Sequence, residues 1–147
     1  MIKTITKNNF PTQIPRGKRI AIVIAVIYRD LACDRKSCLF SSMHCDKYDN
    51  VEFVQNIVDS IAKLNEVSCI ISLCGNAPIG NKNVISLCSG NYSVAKHRYD
   101  EALKCLTFSD LLFVVSNGVV IPRTIANLFC VAQMESVEIN VLNLSDA

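Results

Sequence analysis

The sequence has no surplus of either charge: Lys and Arg number 15 against 13 Asp and Glu, a net charge of +2. Chains that bind nucleic acid or an anionic membrane surface concentrate basic residues well beyond this, so neither partner is expected. No apolar run approaches the ~18 residues that suggest a membrane span. Met1 to Lys18 is polar and lacks the apolar centre of a secretory signal, which points to a cytoplasmic chain. Glycine-rich phosphate loops are missing as well. Gly75 and Gly80 are not followed by a Lys-Ser/Thr pair, and no GxGxxG follows any apolar run. The usual nucleotide triphosphatases and dinucleotide enzymes are thereby excluded. Neither an internal repeat nor a low-complexity segment is visible.

What is present is a core. Half of the 147 residues are hydrophobic and 19% are charged, the balance of one folded domain. There are eight cysteines: Cys33, Cys38, Cys45, Cys69, Cys74, Cys88, Cys105 and Cys130. Cys69 and Cys130 sit in apolar runs, where free cysteine behaves as a small buried hydrophobe. With a cytoplasmic chain the thiols are expected to be reduced.

Periodicity sets the order of elements. Residues 1–18 form a polar leader in which Pro11 and Pro15 oppose a long helix; it either adds an edge strand or crosses to a partner subunit. Residues 19–28 are a continuous β-branched run, the pattern of a strand buried on both faces. Residues 29–49 read as a long polar loop. Over 50–65, Val51, Val54, Val58 and Ile61 recur at helical steps, and Asp49 with Glu52 fits a capping box, with Asn50 as the alternative cap. A second strand is expected at 68–74, a turn-rich stretch at 75–83 and a short strand at 84–88. A helix with Ser93 as its cap follows over 93–107. Then come a strand at 111–116, a helix at 123–134 behind Pro122, and a last strand at 137–142. The alternation predicts a single α/β domain over 19–147: a three-layer, Rossmann-like or flavodoxin-like unit with a small, mostly parallel sheet flanked by helices.

In open parallel sheets ligands bind beyond the carboxyl ends of the strands. Three segments should meet there: Tyr28-Arg29-Asp30, Gly75-Asn76-Ala77-Pro78, and Ser116-Asn117-Gly118 leading to Arg123-Thr124. The last has the clearest chemistry. A helix start offers unpaired amides and the positive end of the helix dipole, and Arg123 suits a carboxylate or phosphate. Simple capping by Thr124 and a solvated Arg123 account for the same residues. Cys33, Cys38, His44 and Cys45 match no common zinc spacing, and the adjacency of His44 and Cys45 makes shared tetrahedral ligation awkward. No metal and no cofactor is expected.

Residues 98–142 resemble the carboxyl-terminal half of the nucleoside 2-deoxyribosyltransferase-like family. The resemblance rests on Phe108-Ser109-Asp110 with the strand Leu111 to Val115, on Asn117-Gly118, and on Thr124 to Ala132. In that family a small residue and Asp precede the strand, a Gly-containing loop follows it, and a Thr opens a helix bearing a nucleophilic Glu; Asp110, Gly118, Thr124 and Ala132 fit. The resemblance implies a nucleoside or nucleotide pocket, and a homo-oligomer, because family members often complete the site across subunits. The family's Glu falls at Asn127, and a neutral amide does not attack an anomeric carbon. A retained pocket with lost catalysis follows, with Asn127 free to bond a sugar hydroxyl. An active deoxyribosyltransferase or N-glycosidase would need a substitute carboxylate: Asp30, Asp100 or Glu101. A third alternative is an assembly module whose long cysteine-bearing loop contacts a partner; for a homo-oligomer, the apolar Leu39, Phe40 and Met43 in that loop are the sign of a contact patch.

Overall fold

The computed structural model describes residues 2–25, 51–72, 84–87, 92–116 and 123–144. It contains strands β1 (Ile2–Thr6), β2 (Arg19–Ala25), β3 (Glu66–Ser72), β4 (Val84–Ser86), β5 (Leu111–Ser116) and β6 (Glu138–Asn143), with helices α1 (Val51–Leu64), α2 (Tyr92–Thr107) and α3 (Arg123–Met134). The strands form one six-stranded sheet in the order β1-β6-β5-β2-β3-β4, and every pairing is parallel. This is the three-layer α/β domain expected from the alternation of elements.

β2 and β5 occupy the middle of the sheet and are buried along nearly their whole length. Their side chains sort by parity onto two faces. Ile20, Ile22, Ile24, Leu111, Phe113 and Val115 pack with Val54, Ile57, Val58 and Ile61 of α1. Ala21, Val23, Ala25, Leu112 and Val114 pack with Ala102 and Leu106 of α2 and Ala132 of α3. α1 thus covers one face, and α2 and α3 the other. The sides follow from handedness. The step from β2 to β3 runs one way along the sheet and the step from β5 to β6 runs the other, so right-handed crossovers place their helices on opposite faces.

The leader resolves in favour of the edge strand. β1 pairs with β6, and Ile5 is fully buried. A single 3-10 turn, Phe10–Thr12, then carries Phe10 under the α1 face, where its ring meets Phe113 edge-on at 6.0 Å. Pro11, which opposes a long helix, is compatible with the start of this short turn.

β3 begins two residues before the expected boundary, because its ladder with β2 opens at Arg19↔Glu66. Ile20 pairs with Val67 but Ala21 pairs with Cys69, which leaves Ser68 as a bulge. The extra residue resets the alternation: Val67 faces α1, whereas Cys69 and Ile71 face α2. Cys69 thereby lies opposite Cys105 in the last turn of α2, and the two are joined by a disulfide, Cα to Cα 6.5 Å. This corrects the expectation of reduced thiols throughout. Cys69 is buried, as its apolar run implies, but one residue of bulge decides what it is buried against. Cys130 is a free, exposed thiol. The other five cysteines lie outside the described residues, as do the 29–49 loop with Leu39, Phe40, Met43 and His44, and the proposed caps Asp49 and Asn50. α2 starts at Tyr92, so Ser93 sits inside the first turn.

α3 stops in a Schellman arrangement: Val137 N donates to Ala132 O at 2.8 Å and Ser136 N to Gln133 O at 3.2 Å. Ser136 holds φ at 58°, the left-handed region that glycine adopts without steric cost. Ser136→Gly is therefore expected to stabilise the protein by about 0.5–1 kcal/mol. Urea titration checks this; an unchanged or lower midpoint would count against the strain.

Candidate functional site

The expected site segments follow the carboxyl ends of three strands. β5, β2 and β3 are neighbours, so the segments beginning at residues 117, 26 and 73 leave from three adjacent strand ends. Those ends are Ser116, Ala25 and Ser72, all small and all buried, and Ala25 is the register partner of Ser116. Ser72, Ser86, Ser116 and Asn143 at the ends of β3, β4, β5 and β6 each have a partner within the protein. Two continuing backbone bonds extend the sheet past its last rungs: Leu87 N to Ser72 O at 2.9 Å and Leu144 N to Ser116 O at 2.7 Å.

α3 must start at this edge. It links the carboxyl end of β5 to the amino end of the adjacent, parallel β6, so it runs antiparallel to both. Arg123 and Thr124 are its first two residues, and the structure describes their backbone only. Tyr28, Arg29, Asp30, Gly75, Asn76, Asn117 and Gly118 lie outside the described residues.

Asn127, Asp100 and Glu101 are described, and all three are exposed. Asn127 is exposed and bonds the side chain of Tyr99, joining α3 to α2. Asp100 and Glu101 are exposed halfway along α2, about 12 Å below its first residue at 1.5 Å per residue. Glu101 accepts a bond from His97 Nε2 at 2.9 Å on the solvent side of the helix. The Tyr99–Asn127 contact was not anticipated. The only hint is that Tyr99 falls on the same face of α2 as Ala95 and Ala102.

Burial pushes the Tyr99 phenol above its ordinary value of 10.0; the Asn127 amide, donating to the phenol oxygen, partly offsets this, and the electrostatic influence of nearby Asp100 and Cys130 adds to the rise. Below pH 10 both the folded and the unfolded chain keep this proton, so its contribution to stability is complete. Above that the unfolded chain ionises first, and stability falls until the folded-state value is passed. Tyr99→Phe is expected to flatten the alkaline limb of the stability–pH profile, measured by urea unfolding between neutral and strongly alkaline pH. Superimposable limbs for the two proteins would contradict the assignment.

The opposite, amino edge holds a shallow cavity of about 580 Å³ lined by Gly17, Lys18, Arg19, Leu64, Asn65, Glu66 and Asp110. Its polar groups are committed to one another. Asp110 Oδ2 accepts from Arg19 N at 3.0 Å, and Asn65 Oδ1 accepts from Lys18 N at 3.0 Å. Asn65 Nδ2 donates to Pro15 O at 2.8 Å and Ile61 O at 2.9 Å. Arg19 pairs with Glu66 at 3.5 Å and Lys18 with Glu138 at 3.8 Å. These contacts tie strand starts to the end of α1, which is a structural use of the residues. Among the described residues, no group of three or more His, Cys, Asp and Glu side chains is placed to hold a metal ion, and no helix is long and apolar enough to cross a membrane.

No protein-family model, curated protein or solved structure matches the chain.

Proposed function

We propose that the protein binds a small polar ligand of the nucleoside or nucleotide class at the carboxyl edge of its sheet, between the ends of β2 and β5, without turning it over. The observation that carries this reading is the reversal of strand order at that point. β3 lies to one side of β2, and β5 and β6 lie to the other, with α1 and α3 on opposite faces. Connections that leave two adjacent strands in opposite directions leave a crevice between them, and that is where open α/β sheets bind ligands.

Three further points support the choice of ligand. The small residues Ala25, Ser72 and Ser116 at the three central strand ends let a ligand approach the backbone closely. The start of α3 supplies amides without intrahelical partners, and Arg123 supplies a positive charge, a combination suited to a phosphate or to sugar oxygens. The resemblance of residues 98–142 to the nucleoside 2-deoxyribosyltransferase-like family favours a nucleoside moiety. Asn127 in place of the family's Glu, and the exposed mid-helix positions of Asp100 and Glu101, favour binding over glycosyl transfer.

Calorimetric titration with adenosine, guanosine, cytidine, thymidine, cyclic AMP and cyclic GMP tests the reading. At least one probe is expected to bind, and Arg123→Ala is expected to weaken a phosphate-bearing probe about tenfold, the loss of one charge-assisted contact of ~1.4 kcal/mol. Silence across the panel would overturn it. Exchange of the base between a deoxynucleoside and a free base, followed by chromatography, would replace it with the transferase reading. Sedimentation of the free and loaded protein asks in the same experiment whether the ligand site belongs to a homo-oligomer.

A further inference from the structure

α1 and α2 are held to the sheet by unequal means. α1 buries Val54, Ile57, Val58 and Ile61, four branched side chains that together remove a large apolar area from water. Among the described side chains of α2, a longer helix, Ala95, Ala102 and Leu106 are buried, and Tyr99 and Leu103 pack against the core from half-buried positions. The Cys69–Cys105 bond adds a covalent tie that fastens the last turn of α2 to β3. The surroundings of that bond suit either oxidation state. Both sulfurs lie in the apolar cluster between α2 and the sheet, where thiols pack as small hydrophobes. Cys105 Sγ lies 3.5 Å from Ser68 Oγ, so a Cys105 thiol has an acceptor for its proton already in place. Ser68 is itself fixed, donating to Ile20 O at 3.1 Å, with its oxygen 2.7 Å from that of Ser109, which bonds Cys105 O at 2.9 Å. Access is one-sided: Cys69 is buried and Cys105 is half-buried, so an incoming thiolate meets Cys105.

We propose that Cys69 and Cys105 form a reversible dithiol–disulfide couple that sets how firmly α2 is held to the sheet, with a small cytosolic-type thiol such as glutathione as its redox partner. A glutathione thiolate attacks Cys105 Sγ, the protein disulfide breaks, and Cys69 leaves as a thiolate that takes a proton from solvent. A second glutathione thiolate attacks the glutathione sulfur of the mixed disulfide and releases Cys105 as a thiolate, which is protonated in turn. Two glutathione thiols are consumed, one glutathione disulfide forms, and the protein gains two thiols. Oxidation is the reverse.

The experiment uses the full chain equilibrated in glutathione buffers of graded thiol-to-disulfide ratio. Free thiols are blocked with N-ethylmaleimide, the remainder are reduced and tagged with iodoacetamide, and the peptides are mapped. Cys69 and Cys105 are expected to change tag together, at one ratio and reversibly. Their staying blocked at every ratio, or staying bonded until the protein unfolds, would overturn the couple. Hydrogen exchange on the same samples reads the consequence. Amides of α2 are expected to exchange at least ten times faster in the reduced protein, with those of α1 unchanged; equal rates in α2 would overturn its role as a tie. Cys105→Ser, which keeps a small polar atom beside Ser68, is expected to reproduce the reduced pattern in both buffers, and redox-dependent α2 exchange in that variant would also overturn the assignment.

Discussion

Phe113→Ala is expected to cost about 3–5 kcal/mol of folding stability, the largest effect of any single substitution considered. Phe113 is fully buried at the centre of the α1 face, flanked in the sheet by Ile22 on β2 and Asn140 on β6. Its ring is also the seat of Phe10, so truncation opens a cavity and loosens the turn that carries the chain from β1 to β2. A second consequence separates this account from a generic core defect. Phe10→Ala should cost less than Phe113→Ala, and the double variant should cost less than the sum, because the aromatic contact is lost once in either order. Urea unfolding of the four proteins checks both statements. Strict additivity would mean that the leader is not docked through this pair.

Removing the cross-link is expected to have the next largest effect. The bond joins residues 36 apart in sequence, and closing a loop of that size stabilises by roughly 3–4 kcal/mol in the chain-entropy model. For a domain of 147 residues this corresponds to a fall in Tm on the order of 10 °C between the oxidised and reduced wild-type protein. Comparison with Cys69→Ala/Cys105→Ala separates the covalent term from packing, since that variant is expected to melt near the reduced protein and to ignore the reductant. A wild-type Tm unmoved by complete reduction would show that the bond is not formed in solution or adds nothing to the fold.

Most of the architecture follows from local patterns in the sequence. The unbroken apolar run from Ile20 to Ala25 declares a strand buried on both faces, and Val54, Val58 and Ile61 at helical steps declare a helix with one apolar side. The bounds of β5 and α3 are legible to the residue because Ser116 and Pro122 stand where periodicity stops. What local patterns do not carry is pairing. Nothing within residues 1–18 says that Ile5 will lie beside Leu142, or that Phe10 will find Phe113. Likewise, the bulge at Ser68 is an event of the β2–β3 ladder, and without it the alternation places Cys69 on the wrong face to reach Cys105. The site divides in the same way. The placing of three strand ends side by side on one edge follows from parallel topology, whereas the contact of Asn127 depends on Tyr99 of a different helix.

A titration of the isotopically labelled protein with the nucleosides and cyclic nucleotides, followed by backbone amide resonances, tests the placement of the ligand most directly. Shifts concentrated at Ala25, Ser72, Ser116 and the first turn of α3 are the expected outcome. Shifts centred instead on Lys18, Asn65, Glu66 and Asp110 at the other edge, or none at any of these amides, would contradict it.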